Sequence, residues 1–284
     1  MNLPDDIVDA HVHFRNSARL RFDWLAGLPA LNRAFDSREF AAASAQAGVT
    51  KFIFVECGCE PRQALYEVEW ISMLAKTEPR LKGIVAFAPM EKGAAVRAEL
   101  SALANHPLVK GVRRNLQGEI DTGFCLQPDF IAGVKLLAEF DFTFDLCIRH
   151  DQLAAATELV RRVPEVRFVL DHFGKPPVKA GQVEPWATQL RALAELPNAS
   201  CKISGLTTEA DWENWKAEQL RPYFEVALGA FGSDRVLFGG DWPVCTLATD
   251  YHRWVEMVAA VTTSATEADR KKLFQTNAEK FYCI

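Results

Sequence analysis

The 284-residue chain lacks several signatures that would settle its class early. No apolar run reaches the roughly 18 residues that a bilayer-spanning helix needs. The opening residues, MNLPDDIVDA, hold no basic stretch followed by an apolar one, so no secretory signal is expected and the chain reads as cytoplasmic. Seven cysteines are scattered and none forms a C-x-x-C pair, which argues against a zinc ribbon or a redox couple. Several sit inside apolar runs, as reduced core cysteines do. No G-x-G-x-x-G follows an early strand, which weakens a dinucleotide-binding fold, and no G-x-S-x-G elbow supplies a serine nucleophile. Basic residues are outnumbered, 32 against 37, for a net charge of −5. That balance argues against nucleic acid or an anionic membrane as partner. No linker, repeat at the level of residue identity or low-complexity tract interrupts the chain, so residues 1–284 are expected to form a single domain.

What is present is an ordinary globular composition, 49% apolar and 24% charged, able to bury a large core. Eight apolar, β-rich runs recur, at 7–14, 50–57, 81–89, 109–116, 142–149, 167–173, 199–204 and 235–244. Their starts lie 25 to 43 residues apart, close to the ~30 residues of a βαβ unit. The runs are continuous rather than alternating, as in parallel strands covered on both faces. Helical stretches fill the gaps. Ser37 precedes 38–47 and Asp151 precedes 152–163 as expected N-caps, and 209–231 and 266–281 read as further helices. Eight such units predict a (β/α)8 TIM barrel, with an open doubly wound sheet as the alternative. Residues 15–36, which include Arg19, Arg21, Trp24 and Pro29, are expected to loop over one barrel end.

In a barrel of this kind the chemistry sits at the C-terminal strand ends. Strand 1 ends in His11-Val12-His13, two imidazoles on one face. Strand 4 carries Arg113 and Arg114, which face opposite ways, with Arg113 favoured inward. Strand 6 ends in Asp171-His172, and strand 8 reaches Asp241. Lys202 on strand 7 is evenly balanced between inward and outward. Each feature has a plain structural reading: His172 as a satisfied core histidine, Asp171 as a helix cap or an arginine partner. Four unpaired polar groups converging on one mouth are costly for structure alone, which favours a site built from His11, His13, His172 and Asp241. His106 and His252 fall away from that mouth. His150, just past strand 5, is left open.

HVHF (11–14), DHFGKPP (171–177), CKISGLTTEADW (201–212) and VLFGGDWPVC (236–245) together resemble the amidohydrolase superfamily, in its amidohydrolase-2-like branch of TIM-barrel hydrolases. Within it the chain is most similar to sugar lactonases acting on L-fuconolactone or L-rhamnonolactone, and more distantly to 2-pyrone-4,6-dicarboxylate lactonase. The resemblance runs from strand 1 to NAEKFY (277–282). It implies a hydrolase that opens a small-molecule lactone, with Asp241 activating water. It implies that His11, His13 and His172 polarise the carbonyl or, with Asp241, bind a metal, and that Arg113 holds substrate oxygens. Trp24 and Trp242 are then candidates to pack on a sugar face, Glu56 to bind a hydroxyl or pair with a strand-end arginine, and Lys202 to reach the substrate. One departure stands out. Metal-dependent amidohydrolases usually offer a lysine on strand 4 and a histidine on strand 5, the pattern of a two-metal site, and residues 144–149 (FDLCIR) hold no histidine. A single divalent ion such as zinc therefore remains, as does metal-free hydrolysis. Decarboxylation of an aromatic or unsaturated acid, hydrolysis of a dicarboxylate lactone and non-catalytic sugar binding stay as alternatives. Oligomeric state, including a homo-oligomer, is open.

Overall fold

The computed structural model describes residues 3–284. Eight parallel strands run in chain order around one sheet: β1 (Ile7–Val12), β2 (Val49–Val55), β3 (Leu81–Ala86), β4 (Val109–Arg113), β5 (Thr143–Leu146), β6 (Phe168–Leu170), β7 (Ala199–Ile203) and β8 (Val236–Phe238). Seven of the eight apolar runs read from the sequence contain a whole strand, and β2 begins one residue before its run. The helices are α1 (Ser37–Ser44), α2 (Ala64–Leu74), α3 (Arg97–Ala104), α4 (Pro128–Lys135), α5 (Leu153–Arg162), α6 (Trp186–Ala194), α7 (Ala217–Phe231), α8 (Tyr251–Val261), α9 (Glu267–Lys271) and α10 (Asn277–Tyr282). Among the described residues no helix is long and apolar enough to cross a membrane.

Alternate strand residues divide between two apolar clusters, the outcome expected when both sheet faces are buried. Phe52, Phe54, Ile84, Phe168 and Phe238 pack outward under the helices. Val8, Ala10, Ile53, Val55, Val85, Val169 and Leu237 form the smaller cluster, and α10 closes it with Phe281 and Tyr282. The barrel is joined between β1 and the segment that follows β8. Asp241 N donates to His11 O at 2.8 Å, and His13 N donates to Trp242 O at 2.8 Å. The buried Asp9 carboxylate ties the same seam, accepting from His11 N at 2.9 Å, Gly240 N at 2.8 Å and the Tyr251 hydroxyl at 2.7 Å. Burial pushes Asp9 up to about 7.

Three local expectations are corrected. The cap of α1 is Asp36, not Ser37: its side chain accepts from Arg38 N and Glu39 N, and Glu39 accepts in return from Asp36 N. Asp151 does not cap α5. The Gln152 side chain accepts from Arg149 N at 2.8 Å and the helix begins at Leu153, while Asp151 pairs with Arg149. The stretch 209–231 is helical only from Ala217, because the Asp211 carboxylate captures the Glu213 and Asn214 amides in a turn. The loop after β1 does cover the barrel end, pinned where Arg15 and Phe35 exchange backbone hydrogen bonds of 3.0 and 2.8 Å.

Gly133 of α4 marks a tight contact with the turn before α3, since a Cβ there would lie 2.2 Å from Met90 O. Gly133→Ala is expected to cost about 1–3 kcal/mol in denaturant unfolding. Gly229 in α7 has open space around it, and Gly229→Ala is expected to add about 0.4–1 kcal/mol. Equal effects at the two positions would contradict the packing described.

Candidate active site

The strand ends meet at one mouth. His11 is fully buried and His13 nearly so, and their Nε2 atoms lie 3.1 Å apart. Asp241 Oδ1 stands 3.4 Å from His13 Nε2, 3.7 Å from His11 Nε2 and 3.9 Å from His172 Nε2. His172 and Asp241 both adopt left-handed backbone, with φ of 51° and 53°. Such conformations are uncommon for residues with a side chain and persist where the surroundings impose them. Gly205 makes room for the pair, as a Cβ there would come within 2.7 Å of His172 Nδ1.

Each imidazole is gripped from behind. His13 Nδ1 lies 2.7 Å from Val55 O, an acceptor, so Nδ1 carries the proton and Nε2 presents a lone pair. His172 Nδ1 is 2.8 Å from Ser204 Oγ. His11 Nδ1 faces Asp171 Oδ1 at 3.4 Å and Lys202 Nζ at 3.2 Å. Burial pushes His172 down to about 4 and His11 well below its ordinary value, so both are neutral near pH 7. Burial also pushes Asp241 up, but the neighbouring imidazoles of His172, His13 and His11 outweigh it and hold the carboxyl below the usual range.

This donor set fits a metal. The His13 Nε2 lone pair and the Asp241 carboxylate are both acceptors, and at 3.4 Å they repel unless a proton or a cation lies between them. A tetrahedral zinc bound at 2.0–2.1 Å separates its ligand atoms by about 3.4 Å. Ligand atoms of His11, His172 and Asp241 lie within 4.8 Å of one another. His13, also expected as a ligand, is not one of those three, but its Nε2 lies 3.1 Å from His11 Nε2 and 3.4 Å from Asp241 Oδ1, beside the same centre.

Beneath the mouth lies an ionic floor. Lys202, wholly buried, bonds Asp145 and reaches Asp171 Oδ1 at 3.0 Å. Asp145 also accepts from the Tyr282 hydroxyl at 3.0 Å, and burial pushes its carboxyl up to about 6 against the pull of Lys202. Arg113 faces inward, with Nε 2.7 Å from Glu56 Oε1 and Nη1 3.2 Å from Asp171 Oδ2. Its neighbour Arg114 pairs with Glu91 and Glu119.

Above the floor opens a cavity of about 570 Å³. His13, His172, Asp241, Arg113 and Trp24 line it, with His11 directly behind. Three residues expected to touch substrate are placed elsewhere. Lys202 and Glu56 are buried in the floor, where Lys202 supports His11 and Glu56 is the partner of Arg113. Trp242 is 3% exposed and packs on Phe14, Phe35 and Phe40, on the opposite side of the chain from Asp241. His150 is absent from the described lining. Sequence reasoning missed Arg15, Lys175, Glu209 and Trp212, all in the lining. Arg15 shares the strand-1 face of His11 and His13, and the other three lie within the motifs after strands 6 and 7, so position alone pointed to them.

A (β/α)8 barrel whose mouth gathers histidines from its first and sixth strands and a carboxylate from its last is a hydrolytic enzyme scaffold with a metal-competent centre. The chain belongs to the amidohydrolase family, whose model matches residues 8–284. It is 31% identical to an L-fucono-1,5-lactonase from Burkholderia multivorans, over 98% of this chain and 96% of that one. It is 24% identical to an L-rhamnono-gamma-lactonase from Scheffersomyces stipitis, over 98% of each. A zinc-bound crystal structure of an amidohydrolase from Burkholderia multivorans superimposes with a TM-score of 0.89 at 30% identity, covering 98% of this chain and 99% of that one.

Replacing Lys202 by methionine leaves the buried Asp145 without its cation and Asp171 with Arg113 alone. A loss of about 3–5 kcal/mol is expected by chemical unfolding. Unchanged stability would mean that the floor does not hold the site.

Proposed function

We propose that the protein hydrolyses the ester ring of a sugar-derived lactone, a small-molecule substrate, at this cavity, with one zinc ion held by His11, His172 and Asp241. The observation that carries the reading is the ionised Asp241 carboxylate at the base of a substrate-sized cavity, faced by three imidazole Nε2 atoms. The relatives named as lactonases supply the ester class.

Ester hydrolysis needs a nucleophilic water, a base and stabilisation of the oxyanion. Bound at this centre, zinc supplies Lewis acidity that stabilises negative charge developing on the lactone carbonyl oxygen. Asp241 accepts a proton from the attacking water as the new C–O bond forms. The tetrahedral intermediate then expels the ring oxygen, and Asp241 returns the proton to it, giving a hydroxy acid. His13, held by Val55 O, turns its Nε2 towards Asp241 Oδ1 and the same centre. Trp24, 41% exposed at the rim with its indole N–H on Cys57 O, offers an apolar face to a sugar ring. Arg113, lying between Glu56 and Asp171, steadies the wall beside the histidines.

In a pH-indicator screen of aldonolactones, one acid equivalent is expected per ring opened. Asp241→Asn is expected to lower kcat about 10²–10⁴-fold with the fold retained by circular dichroism. An active Asp241→Asn enzyme removes the assigned base, and inertness towards every lactone removes the function. Release of CO2 from an aromatic acid would point instead to decarboxylation. Elemental analysis is expected to find one zinc per chain, lost together with activity on chelation and depleted in His172→Ala. Full activity in a metal-free preparation would reject the metal.

A further inference from the structure

Arg15 is 1% exposed and lines the cavity, yet its Nε and Nη2 have no hydrogen-bond partner. Its backbone is fixed by the two bonds to Phe35. Its guanidinium carbon lies 5.3 Å from the Trp24 ring centre and 5.2 Å from that of Phe35, so two aromatic rings set where the group sits. The other basic side chains of the lining all have acidic partners: Arg113 has Glu56 and Asp171, Arg114 has Glu91 and Glu119, and Lys175 has Glu209 at 3.5 Å. Arg15 alone among them holds a charge that nothing within bonding distance offsets.

A buried guanidinium without a partner is costly, and the cost is relieved most by an anion. Nε and Nη2 share one edge of the guanidinium, where their two N–H bonds run parallel and match the two oxygens of a carboxylate. A pair of sugar hydroxyls would satisfy the hydrogen bonds and leave the charge. We propose that Arg15 binds a carboxylate carried by the substrate in addition to the lactone, so that the substrate class is an acidic sugar lactone. The inference rests on the lactonase reading and narrows it.

The test compares kcat/KM for glucaro-1,4-lactone, which bears a free carboxylate, with that for the uncharged galactono-1,4-lactone. Wild type is expected to prefer the acidic lactone by about 10- to 100-fold, the range for hydrogen bonds to a charged group. Arg15→Met, which keeps the stem against Trp24, is expected to lose that preference through KM, and Arg15→Lys to regain part of it. An equal or better wild-type rate on the uncharged lactone overturns the proposal, as does a fall in kcat shared by both lactones in Arg15→Met. Calorimetric binding of the ring-opened diacid, glucarate, reads Arg15 without turnover. Binding by wild type that weakens in Arg15→Met supports the carboxylate site even if no lactone is hydrolysed. No binding by wild type rejects it. Where Arg15→Met does not fold, the wild-type preference and the Arg15→Lys variant still decide.

Discussion

Lys202 is an ammonium with no access to water, held by Asp145 and Asp171 and set against the back of His11. Buried ion pairs seldom stabilise a fold more than well-packed apolar residues would, because desolvation offsets the attraction. Their value here is positional. Asp171 joins Lys202 to Arg113, Arg113 joins Glu56, and the set spans β2, β4, β5, β6 and β7 beneath one mouth. With its partners fixed on separate strands, the His11 ring is held in one orientation, as outer-shell groups hold metal-ligating histidines.

The lumen is therefore layered. Val8, Ile53, Val85, Val169 and Leu237, closed by Tyr282, form a dry base. The charged floor rests on it, with the Tyr282 hydroxyl touching Asp145. Above come the imidazoles, and then the cavity. Charges over an apolar base interact more strongly than they would in water. The same burial lowers His11 and His172 and leaves each ring neutral with one unprotonated nitrogen, so one arrangement supplies both neutral imidazoles and an ionised carboxylate.

The barrel was legible because strands covered on both faces leave continuous apolar runs, and all eight runs carry a strand. The His11, His13, His172 and Asp241 set was legible because polar groups at strand ends are conspicuous among apolar neighbours. What could not be read was direction. Lys202 had even odds of facing in, since one residue of register reverses it. Trp242 was placed beside the substrate because it adjoins Asp241, but the left-handed turn at Asp241 sends the two side chains apart. Glu56 had two readings, and only the position of Arg113 separates them. Arg15 went unnoticed because the absence of a partner is a three-dimensional fact. The helix expected from 209 begins eight residues late because Asp211 competes for backbone amides, a contest that apolar periodicity does not record.

The seam between β1 and the segment after β8 passes through His11, His13 and Asp241 themselves. Asp9 ties the same joint from the helix side. Whatever bridges His11 and Asp241 consequently also clasps the first stave of the barrel to the last, more than two hundred residues apart in the chain. A group bound across His11 and Asp241 would therefore favour the closed barrel over any state in which this seam is open.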